Sequence, residues 1–254
     1  MIRPPSDQPP QAAAAEVQPD LGVATPALLF DIEGTLASMA IVHELLFPYA
    51  RRRLSSFLRE DGHQPAVREA LQQVRADAAE ALPSEPTDAG LAAITEHLER
   101  LMDQDAKTTG LKQLQGLIWE HGFQSGQLQV ALFPDCLPRL QAWKQAGRKL
   151  YIYSSGSIHA QKLFFRHTAQ GDLTPLFSGF FDTTTGNKRQ ADSYRSIARK
   201  LSLPVEEFTF FSDVAAELDA AEQAGMRAIA VRRPGNAPLP EQMAHPVIDS
   251  LDQA

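Results

Sequence analysis

Two carboxylates lie two residues apart in Asp31-Ile32-Glu33-Gly34-Thr35, and this is the sharpest chemical signal in the sequence. They follow the apolar run Ala27-Leu28-Leu29-Phe30 and precede a glycine, so they fall where a buried strand ends and a turn begins. One such carboxylate can act as a nucleophile that forms a covalent phospho-enzyme. A hard cation such as Mg²⁺ suits oxygen ligands beside a phosphate. A polar strand end followed by an ordinary turn would leave the same pattern. Ser154-Ser155-Gly156-Ser157 follows a second apolar run, Leu150-Tyr151-Ile152-Tyr153. Its hydroxyls and backbone N–H groups can hold an anion or simply cap a helix. Lys188, in the loop after Phe180-Phe181-Asp182, can neutralise a transferring phosphoryl group or stay solvated. Asp213 follows Phe208-Thr209-Phe210-Phe211-Ser212 and can ligate a metal, with Glu217 orienting the ligands. The alternative for this acidic pair is favourable charge at the amino end of a helix.

These groups need elements to bring them together. Besides the four apolar runs, Ala228-Ile229-Ala230-Val231 and Val247-Ile248 read as strands, with helices over 136–146, 158–167, 190–201 and 215–224. Strands alternating with helices predict an α/β fold with a parallel sheet, whose active groups gather at the carboxyl ends of the strands. No strand is expected between Leu36 and Gln129. Helical spacing starts at Ile41, Val42, Leu45 and Leu46, with a break or kink expected at Pro48, and further helices are predicted over 66–82, 88–102 and 111–121. An insertion of this length exceeds ordinary connections and should form a small domain or cap. The expected organisation is a disordered extension over 1–24, an α/β core from 25–36 and 130–254, and a helical cap over 37–129. The extension is rich in Pro, Ala and Gln and lacks the continuous apolar stretch of a secretory signal.

Composition narrows the function. The 254 residues carry 31 acidic and 24 basic side chains, a net charge of −7, which argues against nucleic acid as a partner. The tight basic run is Arg51-Arg52-Arg53. The single Cys136 excludes an internal disulfide and a multi-cysteine zinc site, and fits a reducing compartment. No apolar run approaches the roughly 20 residues of a membrane-spanning helix. No Walker P-loop, strand-following G-x-G-x-x-G, G-x-S-x-G elbow or zincin helix is present.

The order of nucleophile strand, Ser strand, Lys loop and acidic strand resembles the haloacid dehalogenase-like superfamily of phosphohydrolases, whose pattern begins D-x-D-G-T. Glu33 departs from that pattern, and D-I-E-G-T resembles the acireductone-forming enolase-phosphatases of methionine salvage. Similar to that family too are Leu46-Phe47-Pro48-Tyr49-Ala50-Arg51, Trp119-Glu120-His121-Gly122-Phe123, Phe133-Pro134-Asp135, Tyr151-Ile152-Tyr153-Ser154-Ser155-Gly156-Ser157, Phe181-Asp182-Thr183-Thr184 and Arg233-Pro234-Gly235-Asn236. Leu36 stands where family members often have Thr. The resemblance covers residues 28–239.

It implies a Rossmann-like core with an inserted helical cap and a small-molecule substrate, 2,3-diketo-5-methylthiopentyl-1-phosphate, which is enolised and then dephosphorylated to the acireductone. It implies one Mg²⁺ per subunit, with Asp31 as nucleophile and metal ligand, Asp213 as the second carboxylate on the metal and position 33 contributing a backbone oxygen. Ser154 and Ser155 would bind the substrate's phosphate or neighbouring oxygens, and Lys188 would hold the phosphate and Asp31. Glu33 is assigned acid–base work. A cytoplasmic monomer with no membrane partner is also expected. Two other readings share much of this pattern: a phosphatase for another small phosphate ester, and a phospho-accepting receiver module without turnover.

Overall fold

The computed structural model describes residues 22–84 and 87–254. The expected disordered extension falls almost wholly outside the described residues. Val23, just inside them, is buried, and its carbonyl accepts from Arg148.

Among the described residues six parallel strands form one sheet: β1 (Ala27–Phe30), β2 (Lys149–Tyr153), β3 (Gly179–Phe181), β4 (Phe208–Ser212), β5 (Arg227–Val231) and β6 (Val247–Ile248), in the order β3-β2-β1-β4-β5-β6. β1 is central, pairing with β2 on one side and β4 on the other. All four of its residues are buried, as a strand covered on both faces requires. Alternation along the strand assigns them to two cores. Leu28 and Phe30 join the core on one face, with Trp143 of α5 (Cys136–Gln145) and Phe165 of α6 (Ile158–Arg166). Ala27 and Leu29 join the other, with Tyr194 of α7 (Ala191–Leu201) and Leu218 of α8 (Ala215–Ala224). Burying a side chain of the Leu or Phe type contributes about 1.5–3 kcal/mol. Phe30 stacks on Phe211 with ring centroids 4.9 Å apart, tying β1 to β4 at the end that leads into the acids.

Between β1 and β2 run α1 (Phe47–Asp61), α2 (Pro65–Asp77), α3 (Asp88–Asp103) and α4 (Thr109–Gln124). They pack into the same core as the first sheet face, and none of the described residues from 38 to 129 is in a strand. Pro48 does not break the helix. A π-helical turn over Ile41–Leu46 leads straight into α1, and Pro48 sits in the first turn of α1, where a missing N–H costs least. The change at Pro48 is therefore one of winding. α2 ends at Asp77, five residues before its expected limit, because Ala78 turns to an extended conformation. The Asp77 carboxylate accepts from Gly110 N (2.7 Å), so this helix end anchors the start of α4. Arg51 and Arg53 pair with Asp103 and Glu60, which neutralises two-thirds of the basic run. Among the described residues no helix is long and apolar enough to cross a membrane.

Candidate active site

The strand order reverses at β1, so the carboxyl ends of β1, β2 and β4 face one crevice. Asp31 follows β1, Ser154 follows β2 and Asp213 follows β4. Asp31 is buried; its N–H donates to Phe211 O (3.0 Å), and its Oδ1 accepts from Ile32 N (2.9 Å). Lys188 is also buried, and its Nζ lies 2.7 Å from Asp31 Oδ1 and 2.7 Å from Glu217 Oε2. Burial works against the ammonium, but the two carboxylates outweigh it and hold its pKa above the ordinary lysine value. A proposed phosphate neutraliser is thus firmly charged and aimed at the proposed nucleophile.

Glu217 lies in the first turn of α8, and its carboxylate meets Lys188. Its Oε2 accepts from Ser212 Oγ (3.1 Å) as well as from the ammonium. Ser212 Oγ in turn accepts from Val214 N (3.1 Å), and no side chain, that of Asp213 included, caps α8. Glu33 lies partly exposed beside Ser154, whose Oγ donates to Oε2 at 3.3 Å. Ser154 Oγ also accepts from Gly156 N (3.2 Å), while Ser157 caps α6 through Ala160 N. The serine run therefore divides: Ser157 does the capping, Ser154 faces the acids, and Ser155 is exposed on the site.

Burial first, and then the nearby Asp31, raise the carboxyl pKa of Glu33; the same two causes push Asp213 up to about 7. Glu217 is raised for the same reasons, with Lys188 opposing. Four acids around one ammonium leave uncompensated negative charge. Asp213 Oδ1 is buried with no hydrogen-bond partner. Among the described residues no cluster of three or more His, Cys, Asp or Glu side chains forms a metal site on its own. Two carboxylates with a main-chain oxygen are another matter. Gly34 N donates to Ala37 O (2.7 Å), so in the planar trans peptide the Glu33 carbonyl points the opposite way, off the loop. Excess charge, an orphaned carboxylate oxygen and hard oxygen donors fit a Mg²⁺-like cation.

Two cavities meet here. The larger, about 570 Å³, runs from Glu33, Ser154 and Ser155 to Val42, Leu46 and Phe47 and to Trp119 of α4. The smaller, about 340 Å³, is polar and lined by Ser155, Thr183, Asn187, Lys188, Arg189 and Glu217. Ser155 borders both. Trp119 Nε1 donates to Leu46 O (2.8 Å), fixing α4 to the π-helical turn across the cavity wall.

Sequence reasoning assigned no role to Asp135, Arg233 or Asn236. The Arg233 guanidinium forms a fork with Asp135 (3.0 and 2.8 Å), donates to Thr35 O (3.1 Å) and Asp249 O (3.0 Å), and lies over the Phe133 ring. Burial opposes ionisation of Asp135, yet Arg233 and Leu251 N hold its pKa below the usual value. A depressed carboxyl pKa stabilises the fold above the unfolded value and loses that contribution as pH falls through the folded one. Asp135→Asn should therefore melt lower than the parent at pH 7, and the gap should narrow only as pH falls through the ordinary aspartate range of about 4 and on toward the lower folded value. A gap independent of pH would refute the ion pair's contribution. The sequence signal for this cluster was a Pro-Gly turn just beyond a strand, with an Arg and an Asn at its ends.

The haloacid dehalogenase-like hydrolase family model matches residues 25–225. Enolase-phosphatase E1 of Persephonella marina is 42% identical over 227 residues, covering 89% of this chain and 97% of that one. Enolase-phosphatase E1 of Pseudomonas syringae pv. syringae is 46% identical over 211 residues, covering 83% and 90%. The crystal structure of the UTR4 protein of Saccharomyces cerevisiae superposes with a TM-score of 0.75 at 32% identity, over 89% of this chain and 98% of that one. CbbY of Rhodobacter sphaeroides, solved with phosphate, shares the fold with a TM-score of 0.54 at 21% identity, covering 90% and 96%.

Proposed function

The chain belongs to the haloacid dehalogenase-like hydrolases and, within them, to the enolase-phosphatases, and from that premise we infer how its residues divide the work. The enzyme converts 2,3-diketo-5-methylthiopentyl-1-phosphate to the acireductone and phosphate in methionine salvage. The observation that best supports a phosphoryl-transfer site is the buried Asp31–Lys188–Glu217 cluster at the strand ends.

Asp31 and Asp213, with the Glu33 carbonyl, would hold Mg²⁺. When bound, the cation offsets the like charges of Asp31 and the phosphate and polarises a substrate carbonyl. In the first half-reaction Glu33, held by Ser154 at the floor of the large cavity, takes a proton from the carbon bearing the phosphate ester. The freed electron pair forms the carbon–carbon double bond as the carbonyl π pair moves onto its oxygen, and the resulting enolate takes a proton from solvent to become the enol. Asp31 then attacks phosphorus, the ester P–O bond breaks, and the departing oxygen takes a proton from Glu33. Water attacks the aspartyl-phosphate, releases phosphate and restores Asp31. Lys188 neutralises the transferring group, and Ser155, bordering both cavities, contacts the phosphate or its neighbouring oxygens.

Helices α1–α4 act as the cap. Their apolar wall would take the methylthio tail and exclude water during enolisation. The family resemblance favours a cytoplasmic monomer, where a lone reduced thiol such as Cys136 fits.

The deciding experiment is a Mg²⁺-dependent assay with the diketone phosphate that follows enol absorbance and phosphate together. Enol should appear before phosphate. Phosphate release with no preceding enol would sink the bifunctional reading and favour a phosphatase for another ester. A phospho-aspartate that persists for minutes without turnover would revive the receiver alternative. In the same assay Glu33→Asp, one methylene shorter, should slow enol formation about 10²-fold or more and phosphate release from a preformed enol far less. Equal slowing of both steps, or of neither, removes the special role of Glu33.

A further inference from the structure

Residues 233–236 form a turn whose two ends reach back some two hundred positions to the loop that carries the acids. Asn236 N donates to Arg233 O (3.2 Å), Pro234 occupies the second position, and Gly235 has φ +87°, the signature of a type II turn. The turn presents its first and fourth side chains to two consecutive carbonyls. Arg233 Nε donates to Thr35 O (3.1 Å), and Asn236 Nδ2 donates to Gly34 O (2.8 Å). The hydrogen bond to Gly34 O fixes the amide's orientation, because only its nitrogen can donate there.

Gly34 is the tightest point of the site. Its φ is +76°, and a Cβ there would overlap the Asp213 carboxylate, so backbone and carboxylate are in direct contact. Its N–H is held by Ala37 O and its carbonyl by Asn236. With both flanking peptides pinned, the direction of the Glu33 carbonyl and the approach of the loop to the Asp213 carboxylate are set together. Of the buried side-chain atoms without a partner, Thr35 Oγ1, Asp213 Oδ1 and Asn236 Oδ1 all belong to residues gathered round this glycine.

We propose that Asn236 is a positioning residue for the cation: by holding Gly34 O it fixes the loop that presents the Glu33 carbonyl beside Asp31 and Asp213. The inference rests on the Mg²⁺-dependent reading above. Partners one step removed from a metal ligand typically change metal affinity 10–100-fold.

The test uses the full chain stripped with a chelator, as parent, Asn236→Ala and Asn236→Leu. Mg²⁺ is titrated calorimetrically, and melting is recorded without metal. Both variants lack the donor, and Leu keeps the bulk. Both should bind Mg²⁺ at least tenfold more weakly, melt within about 2 °C of the parent without metal, and recover the parent turnover at saturating Mg²⁺ with an unchanged KM for the phosphate ester. Mg²⁺ affinity within twofold of the parent overturns the proposal. So does restoration by Leu but not by Ala, which would make the role one of packing. A parent that binds no Mg²⁺ overturns it too. A parent that binds Mg²⁺ but forms no acireductone sinks the enolase-phosphatase assignment and leaves the role of Asn236 standing.

Discussion

Replacing Asp31 with Asn should cut phosphate release by ~10⁴-fold or more while the protein remains folded. The carboxamide fits the same space and still meets Lys188 with an oxygen, but it cannot form the covalent phospho-enzyme. Lys188 keeps Glu217 as a counter-charge 2.7 Å away, so the fold tolerates the change. The half-reactions should separate. Enol absorbance should accumulate from the diketone phosphate without phosphate, because the proton transfer is assigned to Glu33 and the carboxamide oxygen can still serve the cation alongside Asp213. Stopped-flow absorbance and a phosphate assay on one sample settle it. Phosphate release within tenfold of the parent would remove Asp31 from the nucleophile's role.

The second large effect is on stability as well as rate. Lys188→Met leaves Asp31 and Glu217 as buried like charges whose side chains are only 7% and 11% exposed. Breaking a buried pair by removing one partner typically costs about 3–5 kcal/mol. For a chain of this size that lowers the melting point by roughly 6–20 °C. Adding Asp31→Asn to Lys188→Met should return part of the loss, since one of the stranded charges is gone and neighbouring substitutions are not additive. Differential scanning calorimetry of the two singles and the double is the measurement. A Lys188→Met variant that melts with the parent, or a double that melts lower than either single, would contradict the charge cluster as described. Phosphate release should fall in both Lys188 variants.

The core strands were legible because they are short, unbroken apolar runs. Ala27-Leu28-Leu29-Phe30 is buried on both faces, so no alternation blurred it. Asp31, Ser154 and Asp213 were legible for a related reason: each follows such a run directly, and parallel topology brings those ends together. Lys188 was legible as a loop lysine after β3, but its two partners could not be read, since one lies far earlier and the other later in the chain. Glu217 shows the limit of local reasoning. Its spacing from Asp213 suggested a residue that orients the metal ligands or sits at a helix end, and could not reveal that its carboxylate meets Lys188 and Ser212. The winding change at Pro48 escaped because a π-helical turn has no distinct apolar period. Arg233 and Asn236 carried a turn signal, but their targets, Thr35 O and Gly34 O, are main-chain atoms, which side-chain identity does not reveal.

The central place of β1 has a consequence for how the molecule is made. The strand is made before the other five, yet Leu28 pairs with Leu150 on one side and with Thr209, about 180 residues later, on the other. At about 5–20 residues per second, β1 waits roughly 10–40 s for its second neighbour. Four consecutive apolar residues with both hydrogen-bonding edges open are a sticky nascent segment. The four helices emerge during that interval and offer local packing before either edge can be sealed. On this account the helical insertion whose residues line the larger cavity is also the segment, made between β1 and its neighbours, that is able to condense around the founding strand.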